Sequence, residues 1–426
     1  MKDRKVMKTT GYMVGCLIAA IAIGTLLMIA VYLLPVDPMR EHVSESISMY
    51  EDRADQTQWA PGFVYSITDN FTDSIMINNA IFRGTGSVVE DAMMNPYTRY
   101  EESMTGSLVE ELLTDEQKVS AIINYPRYWH GYLIWLKPAL LLFSLSSVKT
   151  INAFLQLFLL VAVMLQLAKK LGNQYAFAFV PTVCVLNPIT IGMCFQYSAI
   201  YYMMLLAMLA VLKWYGPHNA DKCWKLFLWI GIVTAYFDFL TYPMVGLGVP
   251  LILILMIGGF TLKKSIIEMI KNSMSWGIGY AGMWSGKWLI SYLLTGENTF
   301  SDAMEMANYR MTGELDGAKS SEGWLMEAIY AIRGNLSALN NAPIWFMIAV
   351  IVVVMIVLFA RKRYKIVITQ KVIPLLLIAC YPLAWYAVLA NHSGIHVFMT
   401  YRELAITCFA LLCVAAECMV RIDTER

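Results

Sequence analysis

Charge is scarce in this sequence: only 15% of its 426 residues are Asp, Glu, Lys or Arg, against about 25% in an ordinary soluble domain. Hydrophobic residues make up 58%, against roughly 45–50%. A soluble globular protein is excluded. Neither sign of charge dominates, since 32 basic residues face 31 acidic ones and the net charge is +1, so no nucleic-acid partner is expected. No CxxC pair occurs. The eight cysteines, among them Cys184, Cys408 and Cys413, lie in or beside apolar runs and read as small core residues, so no structural metal is expected. HExxH, GxSxG and Rossmann glycine patterns are absent, which removes several common hydrolase and dehydrogenase classes. No repeat period is visible and the halves of the chain do not mirror each other, so the inverted-repeat signature of many transporters is missing.

What the sequence has instead is apolar runs of membrane-spanning length. They predict an all-α integral membrane protein with ten spans near 12–34, 148–168, 174–194, 196–213, 224–241, 243–260, 273–294, 342–360, 372–390 and 402–420. The first run is longer than a signal-peptide core and no small-residue cleavage site follows it, so it reads as a retained anchor. Nineteen of the basic residues fall in short segments that alternate with long, acidic ones. They are Lys2, Arg4, Lys5 and Lys8; Lys169 and Lys170; Lys213, Lys222 and Lys225; Lys263, Lys264 and Lys271; Arg361, Lys362, Arg363, Lys365 and Lys371; and Arg421 and Arg426. The positive-inside rule then puts both termini in the cytoplasm. The chain divides into a tail and first span (1–34), an extracytoplasmic loop (35–147), spans two to seven (148–294), a second outer loop (295–341) and the last three spans (342–426). Within the first loop, 132–146 is apolar but only 15 residues long and holds Lys137-Pro138 in its middle, so it reads as an interfacial or re-entrant helix. The rest of that loop is expected to be helical rather than sheet. The second loop ends in an amphipathic run from Glu322 to Arg333. No inner loop is long enough to fold, which puts any chemistry on the outer face.

Three sets of residues could carry that chemistry. In Ile67-Thr-Asp-Asn-Phe-Thr-Asp-Ser74, Asp69 and Asp73 stand four apart and share one helix face, where they could take a proton or hold a cation; they could equally cap and charge a helix N-terminus. The segment also holds the sequon Asn70-Phe71-Thr72, with a second at Asn335-Leu336-Ser337. In Asn391-His-Ser-Gly-Ile-His-Val-Phe-Met-Thr-Tyr-Arg-Glu403, His392, His396, Tyr401 and Arg402 crowd the mouth between the last two spans. There an arginine can grip a phosphate with two parallel hydrogen bonds, or snorkel to lipid head groups. Within the spans, Asp238 and Lys287 are expensive unless they pair with each other or face a wet cavity. Gly282 to Lys287 fails the phosphate-loop pattern, because residue 288 is tryptophan, and its glycines read as sites of close helix packing.

A first span followed at once by a large acidic outer loop, then Tyr125-Pro-Arg-Tyr-Trp-His-Gly-Tyr132 leading into an interfacial helix, resembles the GT-C superfamily of polytopic membrane glycosyltransferases. The segments Asp69-Asn-Phe-Thr-Asp73, Asp238-Phe-Leu-Thr-Tyr-Pro243 and His396-Val-Phe-Met-Thr-Tyr-Arg402 also resemble bacterial membrane proteins of this type. The resemblance implies transfer of a sugar from a polyprenyl-phosphate lipid to an acceptor on the extracytoplasmic face, with inversion, by a protein embedded among membrane lipids. Asp69 or Asp73 would be the catalytic base, Arg402 with His392, His396 and Lys287 would bind the donor phosphate, and Asp238, Tyr401, Arg127 and His130 would line the cavity. The adjacent acidic pair common in that superfamily is absent near Asp69, which leaves open whether a divalent cation takes part. Two other classes fit the composition: an exporter of lipid or polysaccharide, which would use Asp238 and Lys287 as a charged pathway, and a non-catalytic membrane assembly protein.

Overall fold

The computed structural model describes residues 2–100, 102–113, 121–216, 218–314, 323–360 and 364–421, and these are overwhelmingly helical. Strands among them are limited to three two-stranded antiparallel ladders, each three residues long. Two of those ladders, Gln56–Gln58 with Ile67–Asp69 and Tyr97–Arg99 with Ala121–Ile123, lie in the first expected outer loop. That loop is therefore not purely helical. Its ladders clamp the ends of helix Asn70–Ile81 and of its neighbours.

Among the described residues four helices are long and apolar enough to cross a membrane: Val6–Tyr32, Leu145–Lys170, Phe195–Trp214 and Val397–Cys418. A fifth candidate joins Trp324–Ser337 to Ala342–Leu358 across a 72° bend. Outward-facing apolar side chains such as Leu26, Phe154, Phe158, Phe346 and Ile356 need an apolar solvent around them. Each expected span has a helix at its position, but several are shorter than a bilayer core requires. Helix Met244–Gly258 has 15 residues and rises about 22 Å, against about 30 Å of hydrocarbon. Proline explains two of the interruptions. The run 174–194 is cut at Asn187-Pro188, where Asn187 turns left-handed and caps a new helix, and the run 372–390 is cut at Tyr381-Pro382. The expected span 273–294 is the apolar part of a 34-residue helix, Leu262–Thr295, whose first turns fold Lys264 and Lys271 onto the buried Glu268.

Segments that the charge pattern assigns to one side of a membrane do meet at one end of the bundle. Strand Tyr364–Ile366 pairs with Met419–Arg421, the Leu262 amide donates to Gln370 Oε1 at 3.2 Å, and Lys371 bridges Glu417 at 2.9 Å. Segments assigned to the other side meet at the opposite end, where the Trp59 indole donates to Thr190 and Arg127 bridges Asp302. Arg361, Lys362, Arg363, Glu322 and Arg426 lie outside the described residues. The short apolar helix Leu133–Leu142 lies with this second group, and its buried Lys137 donates to the Ala80 carbonyl at 2.8 Å.

Close helix packing rests on glycine. A Cβ on Gly231 would meet the Trp276 carbonyl oxygen at 2.1 Å, and one on Gly279 the Leu228 oxygen at 2.3 Å, so helices Cys223–Phe237 and Leu262–Thr295 touch backbone to backbone. Gly282 and Gly286 serve likewise against Leu17 and Ile21 of the first helix. Gly231→Ala should therefore cost about 1–3 kcal/mol of stability, seen as a lower melting temperature in detergent. Gly277→Ala, on the same long helix but with open space at its Cβ, should melt as wild type.

Candidate functional site

Helix Asn70–Ile81 begins where strand Ile67–Asp69 ends, and Asp69 is its N-cap. The Asp69 carboxylate accepts from the Thr72 amide at 3.1 Å and from the Thr72 hydroxyl at 2.9 Å. The capping role is real, yet it does not exhaust this group. Burial pushes the Asp69 carboxyl up to about 7, the Thr72 hydrogen bonds offsetting only part of that rise. Its proton affinity is thus matched to neutral pH. Asp73, in the first helical turn, is 1% exposed and takes two different partners. Lys149 Nζ lies 2.8 Å from one carboxylate oxygen, and the Gln196 amide donates to the other at 3.2 Å. The two carboxylates are both buried but differently held, one by a hydroxyl and an amide, the other by a cation. Both sequons are buried too: Asn70 donates to the Ala54 carbonyl and Asn335 to Ala331 and Ser393.

Lys149 sits at the start of the second turn of helix Leu145–Lys170 with its ammonium 4.9 Å from the centre of the Phe195 ring. Val148, Phe195 and Gln196 form one wall of an apolar groove of about 430 Å³, which continues past Met76, Trp135 and Tyr202. The Asp73–Lys149 pair therefore lies against the wall of a space suited to a hydrocarbon chain. Sequence reasoning missed Lys149. Its signal was a lysine just inside an apolar run, an expensive place for a charge without a partner.

Arg402 is wholly buried. Its Nε donates to the Leu186 carbonyl at 3.0 Å and Nη1 to Phe398 at 2.9 Å, while the Tyr197 and Tyr401 rings lie 4.2 and 4.9 Å from the guanidinium carbon. Nη2 is left without a partner among the described residues. The aromatic box is a structural home for a cation. Glu403 does not pair with it; one of its oxygens accepts from the Met244 amide. Asp238 and Lys287 do not pair with each other either. Asp238 closes a turn onto Thr241, and Lys287 donates to the Met93 carbonyl at 2.7 Å and Asn95 at 2.9 Å, tying the long helix to the outer loop. His130 is buried with its Nε2 on the Tyr125 carbonyl, in a left-handed backbone conformation.

His392 and His396 are brought together, and on a residue the sequence did not single out. Arg310, from helix Thr299–Thr312, places Nη1 2.8 Å from His392 Nδ1 and 2.7 Å from His396 Nε2. His392 Nε2 lies 2.7 Å from the Leu240 carbonyl, so that nitrogen carries the proton and Nδ1 accepts from Arg310. Burial and the neighbouring Arg310 hold His396 down at about 3, and burial, His396 and Arg310 hold His392 well below its usual range. Both imidazoles are neutral acceptors that orient an arginine. A phosphate role through these histidines would therefore be exercised by Arg310.

Among the described residues no group of three or more His, Cys, Asp or Glu side chains is placed to hold a metal ion. Asp69 and Asp73 are each turned to separate partners rather than to a shared point. No protein-family model, no curated protein and no solved structure matches this chain.

Proposed function

We propose that this is a membrane glycosyltransferase that moves a sugar, with inversion, from a polyprenyl-phosphate donor to an acceptor on the extracytoplasmic face, in a ten-span arrangement with both termini in the cytoplasm. The observation that supports it best is the apolar groove beside Lys149, with a carboxylate of neutral-range proton affinity one helical turn from Asp73. In this reading the prenyl chain lies in the groove and its phosphate approaches Lys149. Asp69 removes the proton from the acceptor hydroxyl as that oxygen attacks the anomeric carbon from the face opposite the phosphate. The bond to the lipid phosphate breaks, and the negative charge developing on it is met by cation rather than water. Asp73, already bound to Lys149, holds that ammonium in place. No step is routed through a metal ion.

Filling the groove tests the donor half of this reading. Ala199 lines the groove, and Ala199→Trp should occupy the space of the chain. Wild-type protein in nanodiscs is expected to retain polyprenyl phosphate in native mass spectra, and Ala199→Trp to lose it. Equal retention by both would show that the lipid does not enter the groove.

A further inference from the structure

A second cavity, of about 180 Å³, lies on the other side of a two-residue partition: Phe239 lines the groove, and Leu240, held in a strained left-handed conformation, lines this cavity. Its walls are aromatic. Tyr280, Trp284 and Trp288 come from one face of helix Leu262–Thr295 at four-residue spacing, and Tyr128 and Trp385 face them. Two arginines enter it, Arg127 bridged to Asp302 and Arg310 oriented by the two neutral histidines.

Five polar atoms on residues around this cavity are buried and have no partner among the described residues: Arg127 Nε, Arg310 Nε, Trp284 Nε1, Trp385 Nε1 and Tyr280 Oη. Burying so many unpaired groups in one small space is costly unless something else supplies the hydrogen bonds. Four of the five can only donate. Their complement is a group rich in acceptor oxygens, and two guanidinium groups make a negative charge favourable there. The flat indole and phenol faces suit the C–H face of a ring rather than a chain, which the neighbouring groove already accommodates. We propose that this cavity binds a sugar bearing an oxyanion, phosphate or carboxylate. Arg127 and Arg310 hold the oxyanion and the tryptophans hold the ring.

The test is an equilibrium one and needs no turnover. Tryptophan fluorescence of purified protein in nanodiscs is followed while glucose 6-phosphate, glucuronate, glucose or farnesyl phosphate is added. Saturable quenching by glucose 6-phosphate or glucuronate, but not by glucose, is expected, weakened about tenfold or more in Arg310→Gln and in Arg127→Gln, each of which removes charge-assisted hydrogen bonds. Trp385→Phe keeps the wall and removes one donor, so several-fold weakening is expected; with Arg127→Gln it carries the test should Arg310→Gln fail to fold. Equal binding of glucose, or unchanged affinity in the folded variants, overturns the proposal. So does arginine-dependent binding of farnesyl phosphate without binding of either anionic sugar, which would make the cavity a lipid head-group site. Binding of anionic sugar by a protein with no transferase activity would sink the transferase reading and leave the cavity's assignment standing.

Discussion

Asp69→Asn is expected to slow sugar transfer by about 10²–10⁴, the usual cost of removing a general base, while leaving the fold nearly unchanged. The second half of that expectation comes from capping. Asn is about as good an N-cap as Asp, so the hydrogen bond from the Thr72 amide survives the exchange and a fall in rate cannot be blamed on a frayed helix. The pH dependence adds a separate signature. With its carboxyl raised to about 7 by burial, Asp69 is protonated and inactive as a base below that pH, so the transfer rate should rise as pH passes upward through about 7. The stability consequence has the opposite sign. A carboxyl whose folded-state value exceeds its unfolded one binds extra protons when folded, so its contribution to stability is present at low pH and is lost as pH rises from about 4 to about 7. Rates measured from pH 5 to 9 in proteoliposomes holding radiolabelled polyprenyl-phosphate sugar check both points. Near-normal transfer by Asp69→Asn would reduce Asp69 to a cap alone.

Lys149→Met should destabilise the protein by about 3–5 kcal/mol, because it strands the buried Asp73 carboxylate without its cation. Removing both charges together, in Asp73→Asn/Lys149→Met, should recover most of that loss, since the cost lies in the unpaired charge and not in the absence of the bridge. Thermal melts of the two single variants and the double variant in one detergent decide it. A double variant as unstable as Lys149→Met would mean that the lysine acts through packing on Phe195 and not through Asp73.

Much of the helical layout was legible, because apolar run length and basic clusters are strong signals over many residues. The breaks at Pro188 and Pro382 were legible in kind but not in consequence. A proline tells where a helix must stop, whereas the length left on either side depends on neighbours such as Asn187, whose side chain restarts the helix. At the candidate site, Asp69 was visible both as a cap and as an acid because both properties follow from local spacing. Lys149 and Arg310 were not, since each acquires its role from a partner far along the chain, Asp73 in one case and the two histidines in the other. Trp276, Tyr280, Trp284 and Trp288 did carry a readable signal, four aromatics exactly one helical face apart in register, which composition alone conceals. The Asp238–Lys287 alternative of a mutual bridge shows the reverse error: two lone charges of opposite sign in an apolar setting invite pairing, but backbone carbonyls and a local turn satisfied each one first.

The glycine contacts that bring helices Cys223–Phe237 and Leu262–Thr295 backbone to backbone also decide which parts of the molecule can move. Cores that tight transmit displacement instead of absorbing it, so the two helices behave as one strut. That strut carries the Tyr280, Trp284 and Trp288 wall on one member and leads directly into the Phe239–Leu240 partition on the other. The partition and the wall therefore keep a fixed spacing, so a side chain added at Gly231 or Gly279 would change the width of the small cavity from outside its lining.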